Sequence, residues 1–211
     1  MSIRVARVTI CGQGRGRYSL ATVGRLTGGT VKISQECNLS PRLTLVLGGA
    51  RSGKSRYAES LVTALLPPWI YVATGQGLDA EMAERIEAHR VRRGAGWSTV
   101  EAPCDLAAAI AASGTAPILV DCLTLWLSNL MMADVPIEVE FDRLGHALQK
   151  ATAPVVMVAN EVGSGIVPDN ALARRFRDLQ GWLNQRIAAQ ADSVVLVVAG
   201  LPLFVKGRPT E

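Results

Sequence analysis

The fold is decided by residues 43–55, which read Leu-Thr-Leu-Val-Leu-Gly-Gly-Ala-Arg-Ser-Gly-Lys-Ser. An apolar run typical of a buried strand leads into the pattern G-x-x-x-x-G-K-S/T. Its positions here are Gly48, Gly49, Ala50, Arg51, Ser52, Gly53, Lys54 and Ser55. In this motif, glycines let backbone N–H groups face a phosphate chain, and the following helix adds partial positive charge. The pattern predicts a nucleotide-binding loop in which Lys54 reaches the β- and γ-phosphates and Ser55 holds Mg²⁺. A chance match in a glycine-rich turn is the weaker interpretation, because strand and helix signals flank the motif correctly.

From residue 43 onward, short apolar runs alternate with amphipathic stretches. Five runs rich in Val, Ile and Leu lack polar alternation, which is typical of parallel strands covered on both faces. They are Leu43–Leu47, Ile70–Ala73, Ile118–Cys122, Val155–Ala159 and Val194–Ala199. Helices are predicted at Lys54–Leu65, Ala80–Arg92, Leu106–Ala112, Leu123–Met132, Glu138–Lys150 and Asn170–Ala191. This alternation favours an α/β fold with a mostly parallel sheet, flanking helices and right-handed crossovers.

Two patterns near the C-terminus refine this fold. The tail Leu201–Lys206 follows Gly200 and predicts an antiparallel strand at the edge of the sheet. In the last predicted helix, apolar residues recur at spacings of three and four and predict one buried stripe. The stripe consists of Leu172, Phe176, Leu179, Leu183 and Ile187.

Acidic residues follow two of the predicted strands. Asp121 comes directly after Ile118-Leu119-Val120, and ligand sites in open α/β sheets lie at the carboxyl ends of the strands. We expect Asp121 to hold Mg²⁺ or the nucleotide, although it could instead cap the helix that follows. Glu161, after the fourth strand, faces the same edge, and the alternative that it only shapes a turn is nearly as strong.

The chain has two histidines, His89 and His146. His89 shares a helical face with Met82 and Ile86, and arginines follow it. A neutral imidazole can attack an α-phosphate while guanidinium groups neutralise the phosphates, yet a lone histidine beside apolar residues usually packs in the core. Spacing alone therefore favours a structural His89, and His146 has no comparable surroundings.

Positive charge is concentrated in the first fifth of the chain. The 211-residue protein has a net charge of +4. Residues 1–42 contain seven of the 22 Lys and Arg and one of the 18 Asp and Glu, a net of +6, and the other residues have a net of −2. We predict that residues 1–42 form a basic extension that is poorly ordered or loosely packed, with short strands at Arg4–Ile10 and Thr30–Ser34. Residues 43–211 are predicted to form the main domain.

Composition excludes several classes of protein. With 49% hydrophobic residues, the chain is not mainly disordered. No apolar run reaches the roughly 18 residues that a membrane helix needs, so we expect no membrane span. The four cysteines form no CxxC pair and predict reduced thiols in a cytoplasmic protein. A nucleic-acid arm or a targeting segment at residues 1–42 is possible but not favoured, because its charges are scattered singly.

Six blocks of sequence match one protein family when they are taken together. They are Leu47–Glu59, Tyr71–Thr74, Asp79–Arg90, Val120–Trp126, Asn160–Pro168 and Leu172–Asp178. With these blocks the chain resembles the bifunctional adenosylcobinamide kinase / adenosylcobinamide-phosphate guanylyltransferase family of cobalamin biosynthesis, over about Leu43 to Lys206. The phosphate loop alone indicates NTP binding, whereas its Gly-Gly-Ala-Arg-Ser-Gly-Lys-Ser form together with Asn-Glu-Val-Gly is far more specific.

The resemblance implies two reactions that use ATP or GTP with Mg²⁺. In the first, a nucleoside triphosphate phosphorylates the aminopropanol hydroxyl of adenosylcobinamide. In the second, GTP guanylylates a histidine, and GMP passes to adenosylcobinamide phosphate to give adenosylcobinamide-GDP. The resemblance also implies a RecA-like P-loop NTPase fold and a homotrimer, and the net charge of −2 in the main domain leads us to expect no nucleic-acid partner.

The resemblance assigns roles to particular residues. His89 becomes the guanylylated catalytic residue, and it joins Lys54 as a catalytic group and Ser55 and Asp121 as the metal ligands that the phosphate-loop pattern already predicts. The implied nucleotide contacts are Gly48–Ser55, Ala73, Thr74, Gly75, Arg90, Val91, Arg92, Arg93, Glu101 and Asp121. Residues 1–42 have no counterpart in the family pattern.

Three other functions stay open on the sequence alone. A P-loop small-molecule kinase without guanylyltransferase activity would leave His89 structural. A nucleic-acid-stimulated ATPase would use the basic residues 1–42, although the net charge of the main domain disfavours it. A non-catalytic nucleotide switch is the weakest of the three.

Overall fold

The computed structural model describes residues 9–12, 18–26, 29–36, 41–76, 84 and 94–207. The chain divides into two compact units, one of residues 1–40 and one that begins at residue 41. In the first unit, the strands β1 (Thr9–Gly12), β2 (Tyr18–Leu26) and β3 (Gly29–Glu36) form an antiparallel sheet in the order β1-β2-β3. The predicted strand Thr30–Ser34 lies within β3, whereas most of Arg4–Ile10 lies outside the described residues.

The second unit is built on a seven-stranded sheet in the order β10-β9-β4-β8-β7-β5-β6. Its strands are β4 (Leu43–Gly48), β5 (Trp69–Ala73), β6 (Trp97–Glu101), β7 (Ile118–Asp121), β8 (Val155–Asn160), β9 (Ser193–Val198) and β10 (Leu201–Lys206). All neighbouring strands are parallel except β10, which pairs antiparallel with β9. The prediction of a mostly parallel sheet with an antiparallel C-terminal edge strand is confirmed.

Five helices connect the strands of this sheet within the described residues. They are α1 (Lys54–Thr63), α2 (Leu106–Ala112), α3 (Leu123–Met132), α4 (Ile137–Lys150) and α5 (Ala171–Gln190). The predicted helix Ala80–Arg92 lies outside the described residues except for Glu84, which is helical. Among the described helices, none is both long and apolar enough to cross a membrane.

The sheet separates two apolar layers because side chains of a strand alternate between its faces. On one face, Val46 and Val158 pack with Ala58 and Val62 of α1. On the opposite face, the larger cluster joins strand residues to α2, α3, α4 and α5, with Trp126, Leu144 and Leu183 among its buried members. The helix that follows the phosphate loop, α1, therefore provides most of the helical cover of this face, and Leu125 of α3 packs at its border.

The order of the strands identifies the fold class. The loop of residues 48–55 follows β4, and β8 lies between β4 and β7, the strand that ends at Asp121. A phosphate loop and an acidic strand separated by one inserted strand are the arrangement of RecA-like P-loop NTPases. The fold-class prediction is confirmed.

Strand β2 of the first unit was not predicted, and two details of the prediction for the second unit were wrong. Strand β6 was not predicted, because four of its five residues are exposed at the edge of the sheet and show no apolar run. Leu172 was placed in the buried stripe of the last helix, but it is 67% exposed. The first turn of α5 extends past the core, so its apolar periodicity continues beyond the residues that pack.

This difference along α5 yields a stability prediction. Leu183→Ala should lower the free energy of unfolding by about 2–5 kcal/mol, because it leaves a cavity in place of a fully buried side chain. Leu172→Ala, the same substitution at an exposed position of the same helix, should change it by less than about 0.5 kcal/mol. Urea unfolding followed by circular dichroism measures both. Equal losses from the two variants would contradict the placement of the core.

Candidate nucleotide-binding site

The phosphate loop is fixed by close backbone contacts with the hairpin of β9 and β10. A Cβ at Gly48 would lie 2.5 Å from Ser52 Oγ and 2.7 Å from the carbonyl oxygen of Val197. Gly53 has a φ of 94°, and a Cβ there would lie 3.2 Å from the Cα of Gly200. The Gly200 N–H donates to the Ser52 carbonyl at 2.8 Å. Glycine is therefore required at position 48 by space and at position 53 mainly by backbone conformation.

Lys54 bends back over this loop. It is 7% exposed, and its Nζ donates to the Gly49 carbonyl at 3.1 Å. A Cβ at Gly49 would meet no atom within 4 Å, so the loop is open on the side of that glycine. The N-terminus of α1 begins at Lys54 and adds the partial positive charge of a helix end. Together the loop and Lys54 form a cationic cradle that suits a phosphate chain.

Ser55 and Asp121, predicted as metal ligands from distant parts of the chain, lie together. Ser55 Oγ donates to Asp121 Oδ1 at 3.4 Å. These hard oxygen ligands, placed beside the phosphate cradle, fit Mg²⁺, which binds one or two protein oxygens together with phosphate oxygens. The alternative role of Asp121 as a helix cap is excluded, because Cys122 is the N-cap residue of α3.

Tyr71 is a residue of the site that the sequence analysis did not identify. Its hydroxyl donates to Asp121 Oδ2 at 3.2 Å, opposite the oxygen that accepts from Ser55. Tyr71 is 6% exposed and lies in β5, next to β7 in the sheet. A tyrosine at this position also fits the apolar pattern of a buried strand. The sequence therefore gives no sign that its hydroxyl contacts Asp121.

The predicted contacts at Ala73, Thr74, Gly75 and Glu101 lie at the same carboxyl edge of the sheet. Ala73 pairs with Asp121 on one side and with Glu101 on the other. Glu101 and Gly75 are accessible to solvent, whereas Thr74 is fully buried. A nucleotide at this edge can therefore meet the Glu101 side chain, but not the hydroxyl of Thr74.

The Thr74 hydroxyl instead binds the neighbouring strand end. It accepts from the Cys122 N–H at 2.8 Å and donates to the Cys122 carbonyl at 2.7 Å. Asn129 of α3, which the sequence analysis also missed, donates to the carbonyls of Thr74 and Pro103 at 2.8 and 2.9 Å. These buried hydrogen bonds join the ends of β5 and β7, so that Asp121 is held by the protein before any ligand binds.

Burial makes Cys122 an unreactive neighbour of this site. Desolvation, reinforced by the charge of Asp121, raises the pKa of the Cys122 thiol to about 11. The thiol is therefore protonated near neutral pH and does not act as a nucleophile or a metal ligand.

The Glu161 carboxylate shapes its own loop. It accepts hydrogen bonds from the backbone N–H groups of Gly163 and Ser164, at distances from 2.9 to 3.3 Å, and from the Ser164 hydroxyl at 3.1 Å. The Glu161 N–H donates to the Gly48 carbonyl at 3.1 Å. Glu161 thus supports the phosphate loop through its backbone, and its carboxylate serves the turn.

His89 and the four residues Arg90–Arg93 lie outside the described residues. In sequence they belong to the connection between β5 and β6, which departs from the carboxyl edge at Ala73. The other histidine, His146, is exposed on α4, which covers the face opposite to α1. His146 is therefore remote from the phosphate loop.

The Tyr71 contact leads to a prediction about Mg²⁺. Tyr71→Phe should raise the Mg²⁺ concentration needed for half-maximal nucleotide binding by about 10-fold, because hydrogen bonds to a ligating group orient it. Calorimetric titration of the protein with nucleotide at a series of Mg²⁺ concentrations measures this shift. Tyr57→Phe removes the hydroxyl of a half-buried tyrosine on α1 and is the matched control. The same Mg²⁺ dependence in both variants would refute the role of Tyr71.

Comparison with known proteins identifies similar sequences over the second unit. The family model described as cobinamide kinase / cobinamide phosphate guanyltransferase matches residues 44–205. The bifunctional adenosylcobalamin biosynthesis protein CobP of Pseudomonas aeruginosa is 46% identical over 169 residues, which are 78% of this chain and 98% of the relative. The bifunctional adenosylcobalamin biosynthesis protein CobU of Salmonella typhimurium is 45% identical over 182 residues, which are 78% of this chain and 99% of the relative.

Among solved structures, a prototypical ATPase from the type III secretion system of pathogenic bacteria aligns with a TM-score of 0.48 and 11% identity. This alignment covers 77% of the present chain and 56% of the ATPase. The family match covers every residue of the site described above and leaves residues 1–40 outside it.

Proposed function

Because the chain belongs to the cobinamide kinase / cobinamide phosphate guanyltransferase family, we propose that it catalyses both reactions of that name. It phosphorylates adenosylcobinamide with a nucleoside triphosphate, and it then transfers GMP from GTP to the phosphorylated product, giving adenosylcobinamide-GDP. The observation that carries the proposal is the complete phosphate loop with Lys54 folded over it and the Ser55–Asp121 pair beside it.

In the kinase reaction, the aminopropanol oxygen of adenosylcobinamide attacks the γ-phosphorus. The bond between this phosphorus and the β-phosphate oxygen breaks, its electron pair leaves with the nucleoside diphosphate, and the hydroxyl proton is released. Backbone N–H groups of the loop and the Lys54 ammonium hold the phosphates and stabilise the developing charge. Mg²⁺ held by Ser55 and Asp121 would neutralise further negative charge on the phosphates.

In the guanylyl reaction, we propose that His89 attacks the α-phosphorus of GTP and that pyrophosphate leaves. The resulting phosphoramidate is then attacked by a phosphate oxygen of adenosylcobinamide phosphate, which takes GMP and frees the imidazole. A covalent intermediate divides one difficult displacement into two, each with a good leaving group. Arg90, Arg92 and Arg93 follow His89 in sequence and would neutralise the phosphates.

The remaining assignments concern the domain organisation, the nucleotide contacts and the location of the enzyme. We place both activities in residues 43–211 and regard residues 1–42 as a basic extension outside the catalytic domain. The nucleotide contacts proposed from the family are the loop Gly48–Ser55, Ala73–Gly75, Arg90–Arg93, Glu101 and Asp121. The enzyme would act in the cytoplasm, where ATP and GTP are available, without a nucleic-acid partner.

The covalent step predicts a labelled protein. Incubation with GTP that carries a radioactive α-phosphate should label the protein, and acid should release the label, because a phosphoramidate is acid-labile. His89→Ala should abolish the label through loss of the attacking nitrogen. His146→Ala, which removes the exposed histidine of α4, should label as the wild type does.

Electrophoresis after an acid or alkali wash measures the adduct. Label that persists in His89→Ala would refute the assignment of His89. Phosphorylation of cobinamide without any adduct in the wild type would indicate the alternative, a small-molecule kinase without guanylyltransferase activity.

We further propose that the enzyme is a homotrimer. An uncovered row of aliphatic side chains on β10, formed by Leu201, Leu203 and Val205, is 59–72% exposed and supports contact with another copy. Sedimentation equilibrium should then give three times the chain mass of 22.4 kDa. A mass of one or two chains across the micromolar range would contradict the trimer.

A further inference from the structure

Asn160 lies at the carboxyl edge of the sheet, next to the phosphate loop. It is the last residue of β8, the strand that lies between the phosphate-loop strand β4 and the acidic strand β7. Asn160 pairs with Gly48, the first residue of the loop. On the other side, Asp121 pairs with Val158, two residues before Asn160. Asn160 therefore lies at the carboxyl edge, with the phosphate cradle on one side and the Ser55–Asp121 pair on the other.

The alternation of β8 determines the face from which the Asn160 side chain projects. Val156 and Val158 pack in the cluster that contains Ala58 and Val62 of α1. Asn160 follows Val158 by two residues and shares this face. In β7, Leu119 belongs to the same cluster, so Asp121 projects from this face too. Both polar side chains thus face the helix that begins at Lys54.

The backbone of Asn160 is held from the opposite face. Its N–H donates to Thr124 Oγ1 of α3 at 2.8 Å, and its carbonyl accepts from Asn184 Nδ2 of α5 at 3.1 Å. Asn184 Oδ1 in turn accepts from Gln180 Nε2 at 2.8 Å, and Gln180 is fully buried. Two helices therefore fix the main chain of Asn160, which restricts the directions its side chain can take.

The carboxamide of Asn160 makes no hydrogen bond within the part of the chain that the structure describes, although the residue is partly buried. The adjacent Glu161 differs, since its carboxylate accepts hydrogen bonds from Gly163 and Ser164. A carboxamide offers two N–H donors and one acceptor oxygen. A donor on a fixed backbone beside a phosphate loop is suited to a phosphate oxygen.

We propose that Asn160 is a catalytic residue of the kinase reaction, whose carboxamide donates a hydrogen bond to an oxygen of the transferred γ-phosphoryl group. This inference rests on the proposed function. Phosphate loops place the β- and γ-phosphates at the lysine and at the metal ligands, and Asn160 lies between the strands that carry these groups. The donor stabilises the charge on the phosphoryl oxygens while the bond to the cobinamide oxygen forms and the bond to the β-phosphate oxygen breaks.

The proposal predicts different effects on the two reactions. Guanylyl transfer to His89 breaks the bond between the α- and β-phosphates, so a donor at the γ-phosphoryl group does not stabilise its transition state. Asn160→Ala should lower kcat for cobinamide phosphorylation by about 100-fold, the effect of removing one preorganised donor. The rate of adduct formation at saturating GTP should remain that of the wild type.

Binding provides a readout that does not depend on turnover. Calorimetry should show that Asn160→Ala binds a non-hydrolysable GTP analogue about 10-fold more weakly, while its affinity for GDP is unchanged. Asn160→Asp has nearly the same shape but places a carboxylate beside the γ-phosphate. It should weaken triphosphate binding further by charge repulsion. This isosteric variant also keeps the test available if the alanine variant unfolds.

The matched control is Asn170→Ala. Asn170 caps α5 by accepting from the Ala173 N–H at 2.7 Å, so this variant loses helix stability without altering the site. Thermal melts identify general destabilisation, and both activities of the control should be those of the wild type. Equal losses of both reactions in Asn160→Ala, or an unchanged kinase reaction, would overturn the role of Asn160. A wild type that lacks phosphorylation and adduct would overturn the proposed function instead.

Discussion

The nucleotide site depends on backbone contact between the phosphate loop and the turn of the β9–β10 hairpin. Gly48 has no space for a side chain, Gly53 has a positive φ and a tight contact with Gly200, and the Gly200 N–H donates a hydrogen bond to the Ser52 carbonyl. The turn itself has positive φ at Ala199 and Gly200, which suits a two-residue hairpin. The loop is therefore shaped by the protein before a phosphate binds, so little of the binding energy is needed to order it. This contact gives the edge strand β10 a role in the site although most of its side chains are exposed.

The two faces of the sheet contribute to the site in different ways. Tyr71, Asp121 and Asn160 project from the face covered by α1, where the loop and Lys54 lie. From the opposite face, Asn129 and Asn184 hydrogen-bond the backbone at the ends of β5 and β8. Because these amides donate hydrogen bonds to main-chain carbonyls at the ends of the strands, the strand ends stay fixed at the edge where the sheet stops. Rigid positioning is what phosphoryl transfer requires, since the protein contributes mainly geometry and charge.

The sequence predicts those features that depend on local pattern. Strands buried on both faces give apolar runs, and the predicted ends of the strands and helices that the structure describes in the second unit agree with it to within two residues. The meeting of Ser55 and Asp121 follows from topology, because the carboxyl ends of parallel strands share one edge. Strand β6 gives no such signal, since it is exposed. Tyr71, Asn129 and Asn184 act through hydrogen bonds between elements distant in sequence, and residue type and spacing do not encode such pairings.

A single phosphate loop imposes a constraint on an enzyme with two reactions, because the bonds that break lie on opposite sides of the β-phosphate. In the proposed site, the loop, Lys54 and the Ser55–Asp121 pair would bind the middle of the triphosphate and could not by themselves distinguish the two reactions. The strand order offers a physical solution. Asn160 ends β8, on one side of β7, whereas the connection that contains His89 departs from β5, on the other side. Asp121 of β7 lies between these two positions. Transfer of the γ-phosphoryl group and attack at the α-phosphorus would therefore take place on opposite sides of the proposed metal-binding carboxylate. Each reaction can then have its own donor or nucleophile while the shared groups keep the triphosphate in place.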